Sequence, residues 1–166
     1  DTIVTPVLHQ IGSLWEREDF TIIEVHIATQ TIQRALHRLQ AIIPIPAQKS
    51  GDALCMTIGQ EEHEIALQMV GHILEKRGFR VLFAGEKTPS QELDYYLKHH
   101  PIDRLYISST IIVDSVSAHW ELERISHTGI KYGVKIFIGG QAIDRLNGDL
   151  PSNANRLYNF SDVYEN

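Results

Sequence analysis

From residue 53 to the end of the chain, short apolar segments alternate with longer amphipathic segments. The apolar segments of strand length are 53–58, 79–85, 104–110 and 134–138, with a shorter fifth candidate at 156–160. Between them, apolar residues recur at the spacing of one helix face. Strands that alternate with helices pair in parallel, because each connection has to cross over the sheet. The pattern therefore predicts an α/β fold: a flavodoxin-like (Rossmann-like) sheet of five parallel strands with helices on both faces.

Residues 1–43 have a different pattern, which is typical of two helices from a helical bundle. Ile11 and Trp15 recur at helical spacing, which gives Trp15 a place on the packed face of the first helix. Thr21 and Glu24 match a capping box at the start of the second helix. Two helices alone bury too little apolar surface to be stable. We therefore expect them to pack on the α/β region, on further helices or on another subunit.

A segment rich in turn-forming residues separates the two patterns. Pro44 and Pro46 prevent the second helix from continuing, and Ser50, Gly51 and Asp52 are typical of a turn. The sequence therefore predicts three parts, and these are a partial helical-bundle cap over residues 1–43, a linker over 44–52 and an α/β domain over 53–166.

Composition limits the environment and the partners. The formal net charge is −6, so the sequence lacks the basic surface typical of nucleic-acid binding, and DNA is a partner only through a segment outside this sequence. The one cysteine, Cys55, falls in a predicted buried strand, which fits a reducing compartment. No apolar run approaches the about 18 residues of a membrane-spanning helix, and the first residues do not resemble a signal peptide. We therefore expect a cytoplasmic protein without a membrane partner.

Three segments with candidate binding residues follow predicted strands. His63 comes after the first strand, Ser108 and Thr110 end the third, and Gly139 and Gly140 follow the fourth. In a flavodoxin-like order these strand ends are neighbours at the switch point, where α/β sheets bind ligands. An imidazole there can ligate a metal or act as a general base. Each segment also has a simpler interpretation: a solvated histidine, helix-capping hydroxyls and a tight glycine turn.

The order and spacing of these segments resemble those of cobalamin (vitamin B12)-binding domains over residues 53–166. That family has an acidic-x-His-x-x-Gly motif, then Ser-x-Leu/Thr, then Gly-Gly, each after a strand. The matching positions here are Glu61, His63, Ala66, Ser108, Thr110, Gly139 and Gly140. The resemblance implies that His63 ligates cobalt from below in place of the cofactor's own base, while Glu61 fixes the tautomer of the histidine. It also implies a slot for the nucleotide tail, lined by Ser108, Thr110, Gly139 and Gly140.

Residues 13–17 and 23–29 resemble the helical cap of the MerR-type light-sensing repressors that use adenosylcobalamin. In that family a tryptophan and a Glu-His pair lie over the upper face of the corrin, and the matching positions here are Trp15, Val25 and His26. The resemblance implies that light breaks the cobalt–carbon bond and that His26 then takes the vacated upper position. It implies that the homo-oligomer and its DNA affinity change as a result. The expected function is a cobalamin-binding sensor module of a bacterial regulator, without catalytic turnover.

Two departures from the motifs keep other functions open. Val25 stands where the family pair has glutamate, although Glu24 is adjacent, so an upper ligand other than adenosyl stays open. Ala66 replaces the motif glycine, which leaves a heme-binding sensor on the same fold as an alternative. A further alternative is the corrinoid carrier of a methyltransferase system, which shares the histidine motif and shuttles a methyl group on cobalt.

Overall fold

The structure, a computed structural model, describes residues 2–59, 61–146 and 149–166. The chain divides into two compact units, Asp1–Pro44 and Ile45–Asn166. The first unit is helical and the second contains all strands of the sheet. Among the described residues, no helix is both long and apolar enough to cross a membrane.

The first unit consists of helices α1 (Val4–Glu16) and α2 (Ile22–Ile42). The predicted capping box is confirmed at the start of α2. The Thr21 hydroxyl accepts a hydrogen bond from the Glu24 amide at 3.3 Å, and the Glu24 carboxylate accepts one from the Thr21 amide at 2.8 Å. This reciprocal pair satisfies two amides that the helix itself cannot bond.

The second unit is a parallel sheet of five strands in the order β2-β1-β3-β4-β5, which confirms the predicted fold. The strands are β1 (Gly51–Thr57), β2 (Phe79–Gly85), β3 (Arg104–Ser108), β4 (Lys135–Gly139) and β5 (Ala154–Arg156). β2 has the predicted bounds, and the other four strands differ from the prediction at one or both ends. The first strand begins inside the predicted linker, at Gly51. The fifth strand ends at Arg156, because the Asn159 side chain caps a helix that begins at Phe160.

Among the described residues of this unit, four α-helices and two short 3₁₀ turns connect or follow the strands. They are α3 (Ile65–Lys76), α4 (Leu93–His99), α5 (Ser115–Tyr132) and α6 (Phe160–Glu165), with 3₁₀ turns at Ser90–Glu92 and Ile143–Arg145. In the sequence, Thr88 and Gln91 have the spacing of a capping box, which predicts a helix start there. The structure shows no such box, and the 3₁₀ turn at Ser90–Glu92 has no side-chain cap. The Thr88 hydroxyl instead donates to the Gly85 carbonyl at 3.2 Å, so it closes the turn after β2.

The core consists of two hydrophobic clusters, one on each face of the sheet. Leu54 and Met56 of β1 belong to the cluster under α4 and α5. Ala53 and Cys55 of the same strand belong to the cluster under α3 and α6. Because neighbouring strand residues point to opposite faces, a continuous apolar strand supplies both clusters. The Cys55 thiol is fully buried, and this burial raises its pKa far above the ordinary range.

Candidate functional site

The carboxyl ends of three neighbouring strands are aligned at one edge of the sheet. Thr57 of β1 pairs with Ser108 of β3, and Ser108 pairs with Gly139 of β4. The segments that follow these strands carry His63, Thr110 and Gly140 respectively. This register is what brings the three predicted binding segments of the α/β unit to the same edge.

Glu61 lies at the centre of this edge and is almost completely buried, with 2% of its surface exposed. Its carboxylate accepts hydrogen bonds from the His63 amide at 2.8 Å, from the Ile111 amide at 2.8 Å and from the Thr110 amide. Burial by itself raises the pKa of a carboxyl group, but the hydrogen bonds from His63, Ile111 and Thr110 outweigh it. The pKa of Glu61 therefore lies below its usual range, and the buried side chain is an anion.

The imidazole of His63 is held by this anion. Its Nδ1 lies 2.5 Å from Glu61 Oε1, while just over half of the side chain is exposed. The hydrogen bond to Glu61 raises the pKa of His63, against the opposing effect of burial. A carboxylate that accepts from Nδ1–H fixes the tautomer in which Nε2 carries the free lone pair. The geometry therefore prepares Nε2 of His63 to coordinate a metal.

Ser108 and Thr110 do not cap a helix, so that simpler interpretation is wrong. The side chain of Asp114 caps α5, because it accepts from the amides of Val116 at 3.0 Å and Ser117 at 3.2 Å. Ser108 is buried at the end of β3, and Thr110 contributes its amide to the Glu61 carboxylate. Both residues are thus beside the His63 segment, and their contact with a nucleotide tail stays a prediction.

Gly139, the last residue of β4, and Gly140, the residue after it, permit close backbone approaches. A Cβ on Gly140, which has a φ of +116°, would lie 2.0 Å from the Ser109 carbonyl oxygen. A Cβ on Gly139 would lie 3.2 Å from the Leu157 carbonyl oxygen. Packing within the fold therefore already requires a glycine at position 140 and favours one at 139. That the pair also lines a slot for a ligand stays a prediction.

A further contact ties the His63 segment to the turn after β2. Glu62 and Lys87 form an ion pair, which lowers the pKa of Glu62 and raises that of Lys87, in each case mainly through the hydrogen bond between them. Lys87 has a φ of +52°, an uncommon conformation for a residue with a side chain. Both side chains are exposed to a large extent, so solvent screens the pair.

The predicted upper-face residues all lie in the helical unit. Trp15 is the last but one residue of α1 and is 53% exposed, so its expected place on a packed face is wrong. Val25 is half-buried and His26 is exposed in the second turn of α2. The adjacent Glu24 carboxylate is engaged in the capping box, where it also accepts from the Thr21 hydroxyl at 2.7 Å. The roles of Trp15, Val25 and His26 towards a corrin stay predictions.

Two residues that hold the His63 segment, Lys87 and Glu121, belong to no motif in the sequence. Lys87 bonds to Glu62, and the Glu121 carboxylate accepts from the Gly59 amide at 2.8 Å. Glu121 is 62 positions away from Gly59 along the chain. Only the strand order and the helix position reveal the contact, because no local motif marks either residue.

The chain is similar to one family model and to several known proteins. Residues 1–40 match the family model described as B12 binding domain. Over 142 residues, the chain is 24% identical to the HTH-type transcriptional repressor CarH of Myxococcus xanthus. This aligned region covers 86% of this chain and 46% of the repressor. Over 134 residues, the chain is 25% identical to dimethylamine corrinoid protein 3 of Methanosarcina acetivorans. This aligned region covers 80% of this chain and 63% of that protein.

Among solved structures, the monomethylamine corrinoid protein of Methanosarcina barkeri has a similar fold. The TM-score is 0.77 at 16% identity, over 95% of this chain and 76% of that chain. The present chain spans about half to two thirds of the length of the curated relatives named above. Together, these matches confirm the resemblance to cobalamin-binding domains, and they include a regulator as well as corrinoid proteins.

Proposed function

We propose that this relative of the cobalamin-binding domains binds cobalamin through His63 and serves as the sensor module of a bacterial regulator. The observation that carries the proposal is the buried Glu61 anion, which holds Nδ1 of His63 and leaves Nε2 free to coordinate. Hydrogen bonds from a buried carboxylate and backbone amides hold the ring of a histidine in one orientation, as in sites where the histidine ligates a metal.

The donor set fits a metal that is already held in a macrocycle. His63 supplies one imidazole nitrogen, which is one axial ligand, and the macrocycle supplies the equatorial ligands. Imidazole suits several transition metals, so this chemistry by itself admits heme as well as a corrin. The sequence relatives favour cobalamin, since they include corrinoid proteins and a B12-binding domain model.

Each predicted site residue, at the sheet edge or in the helical unit, has a proposed role towards the cofactor. His63 is the lower axial ligand of cobalt, and Glu61 keeps its tautomer and its orientation. Ser108, Thr110, Gly139 and Gly140 line the slot for the nucleotide tail. Trp15, Val25 and His26 contact the upper face, with His26 as the upper ligand after illumination. When bound, adenosylcobalamin supplies a cobalt–carbon bond that light can break.

The proposed output is a change in assembly rather than a chemical product. The similarity to a transcriptional repressor supports this interpretation. With a net charge of −6, these 166 residues do not provide a basic DNA-binding surface. We therefore place DNA contact in a segment outside this sequence, and homo-oligomerisation in the module itself.

A second candidate is the corrinoid carrier of a methyltransferase system. The similarity to dimethylamine corrinoid protein 3, which is 25% identical over 134 residues, favours it. In that case His63 and Glu61 keep the same roles, and a methyl group travels on the cobalt to a partner enzyme. The two candidates differ in their response to light.

The test is to mix the protein with adenosylcobalamin in the dark, remove free cofactor, and record absorption spectra and oligomeric state before and after green light. Retained corrinoid whose spectrum and assembly change with light supports the sensor. Retained corrinoid without a light response supports the carrier. Loss of all corrinoid overturns both candidates and directs the same test to heme.

Variants assign the two axial positions. His63→Ala should abolish stable binding, whereas His127→Ala, an exposed histidine on α5, should bind like the unchanged protein. His26→Ala should bind in the dark but give a different spectrum after illumination, with His37→Ala on the same helix as the control. An unchanged spectrum in His63→Ala would remove the lower ligand from the proposal.

A further inference from the structure

A hydrogen bond to α5 holds the segment that carries His63, although the two partners are far apart in the sequence. The Gly59 amide donates to Oε2 of Glu121 at 2.8 Å, and Glu121 lies in the second turn of α5. Gly59 has a φ of +65°, and a Cβ there would meet nothing within 4 Å. The left-handed backbone conformation therefore favours glycine at this position, whereas crowding by neighbouring atoms does not require it.

Two carboxylates thus connect the β1–α3 segment with α5 and the residues that lead into it. One carboxylate comes from each side and accepts hydrogen bonds from the other side. Glu61 belongs to the β1–α3 segment and accepts amides of Thr110 and Ile111, which lead into α5. Glu121 belongs to α5 and accepts the amide of Gly59, which leads into the β1–α3 segment. His63 follows Gly59 by four residues and Glu61 by two, so both bonds limit where its backbone can lie.

The Glu121 bond differs from the ion pair between Glu62 and Lys87. Both partners of that pair are largely exposed, so water competes with it. Glu121 is half-buried, and its partner is a backbone amide in a partly buried position. A charge-assisted bond of this kind fixes a backbone more firmly than an exposed ion pair does.

We propose that Glu121 is a positioning residue for His63, which sets the place of the segment that carries the axial ligand. This inference rests on the proposed binding of a corrinoid through His63. Without the carboxylate, the Gly59 amide loses its acceptor and the segment gains freedom. Binding then has to order the segment, and this cost appears as weaker affinity. We expect about a tenfold loss, in the range for a hydrogen bond to a charged group.

Four variants separate this role from a general effect on α5. Glu121→Ala removes the acceptor, and Glu121→Asp keeps the charge but shortens its reach. Glu121→Gln keeps an acceptor oxygen at the same distance but removes its charge, and it should restore part of the function. Glu123→Ala, on the same helix and also half-buried, is the matched control. Glu121→Asp tests the inference even if Glu121→Ala does not fold.

Three measurements are made on each variant. The first is the affinity for hydroxocobalamin. The second is the nitrogen hyperfine splitting in the electron paramagnetic resonance spectrum of the reduced Co(II) form, which reports ligation by His63. The third is hydrogen exchange of the amides in residues 58–63 without cofactor.

The inference predicts weaker binding, less histidine ligation and faster exchange in Glu121→Ala and Glu121→Asp. Glu121→Gln should give intermediate values, and Glu123→Ala should give near-normal ones. Unchanged affinity and unchanged ligation in Glu121→Ala or Glu121→Asp would overturn the inference and leave the proposed function intact. If the unchanged protein binds no corrinoid, the proposed function fails first, and the inference fails with it.

Discussion

At the scale of single residues, Glu61 connects the fold to the candidate site. Its carboxylate is buried and accepts hydrogen bonds from three backbone amides and from Nδ1 of His63. A buried anion is costly unless hydrogen bonds replace its hydration, and here they do. The same group therefore stabilises the segments around it and orients the proposed ligand.

Replacement of Glu61 by alanine should destabilise the protein by about 2–3 kcal/mol, because three partly buried amide bonds lose their acceptor together. Glu62→Ala is the matched control, since it removes a neighbouring but exposed carboxylate and should cost much less stability. Urea unfolding followed by circular dichroism measures both values. Equal losses in the two variants would contradict the role given to Glu61.

At the scale of elements, α5 is positioned from both of its ends. Its first turn is capped by Asp114, whose carboxylate also accepts from the Ser117 hydroxyl at 2.6 Å. Its last turn ends at Gly133, which has a φ of +67° and serves as a left-handed cap. Because Glu121 lies on this helix, the stability of α5 bears on the position of the His63 segment.

The Asp114 cap predicts a pH dependence of stability. The hydrogen bond from the Ser117 side chain is the largest cause of a lowered pKa of Asp114 in the folded state. A lowered folded pKa gives stability that is present above the unfolded value of about 3.9 and is lost as the pH falls through the folded value.

Asp114→Ala should therefore lower the melting temperature at pH 7, and the difference from the unchanged protein should shrink as the pH falls below about 4. Asparagine caps helices about as well as aspartate but does not titrate, so Asp114→Asn should stay close to the unchanged protein at pH 7. Thermal melts between pH 2.5 and pH 7 would measure this. A constant difference for Asp114→Ala over that range would refute the linkage.

At the scale of the whole molecule, the two units differ in how much core each one has. Residues 45–166 contain both hydrophobic clusters. Among the described hydrophobic residues of the helical unit, Ile11 and Leu36 are buried, whereas Ile22, Ile23 and Ile27 are more than half exposed. The helical unit has little apolar burial to offset the entropy cost of folding.

We expect a peptide of residues 1–44 to be mostly unfolded in dilute solution, and a fragment of residues 45–166 to unfold cooperatively. The peptide lacks buried surface, whereas the fragment keeps the full sheet and both clusters. Circular dichroism at several concentrations and temperatures distinguishes these states. A cooperative melt of the peptide that does not depend on its concentration would show that the helical unit is stable alone.

Features with a short sequence range could be predicted well from the sequence. The alternation of strands and helices, the flavodoxin-like order, and the capping box of Thr21 and Glu24 are confirmed. The contact between Glu61 and His63 is also local, since the two residues are two positions apart. The alternation and the capping box depend on a periodicity or on a spacing of a few residues, which the sequence displays directly. The pairing of Glu61 with His63 was expected from the resemblance to cobalamin-binding domains.

The tertiary structure alone decided how the site is held. The Glu61 carboxylate reaches Thr110 and Ile111 over 49 and 50 positions, and Glu121 reaches Gly59 over 62. Gly140 is required by the Ser109 carbonyl of a neighbouring strand end, not by its own turn alone. Such contacts depend on strand order and register, which set the distances between remote segments, so no local pattern contains them.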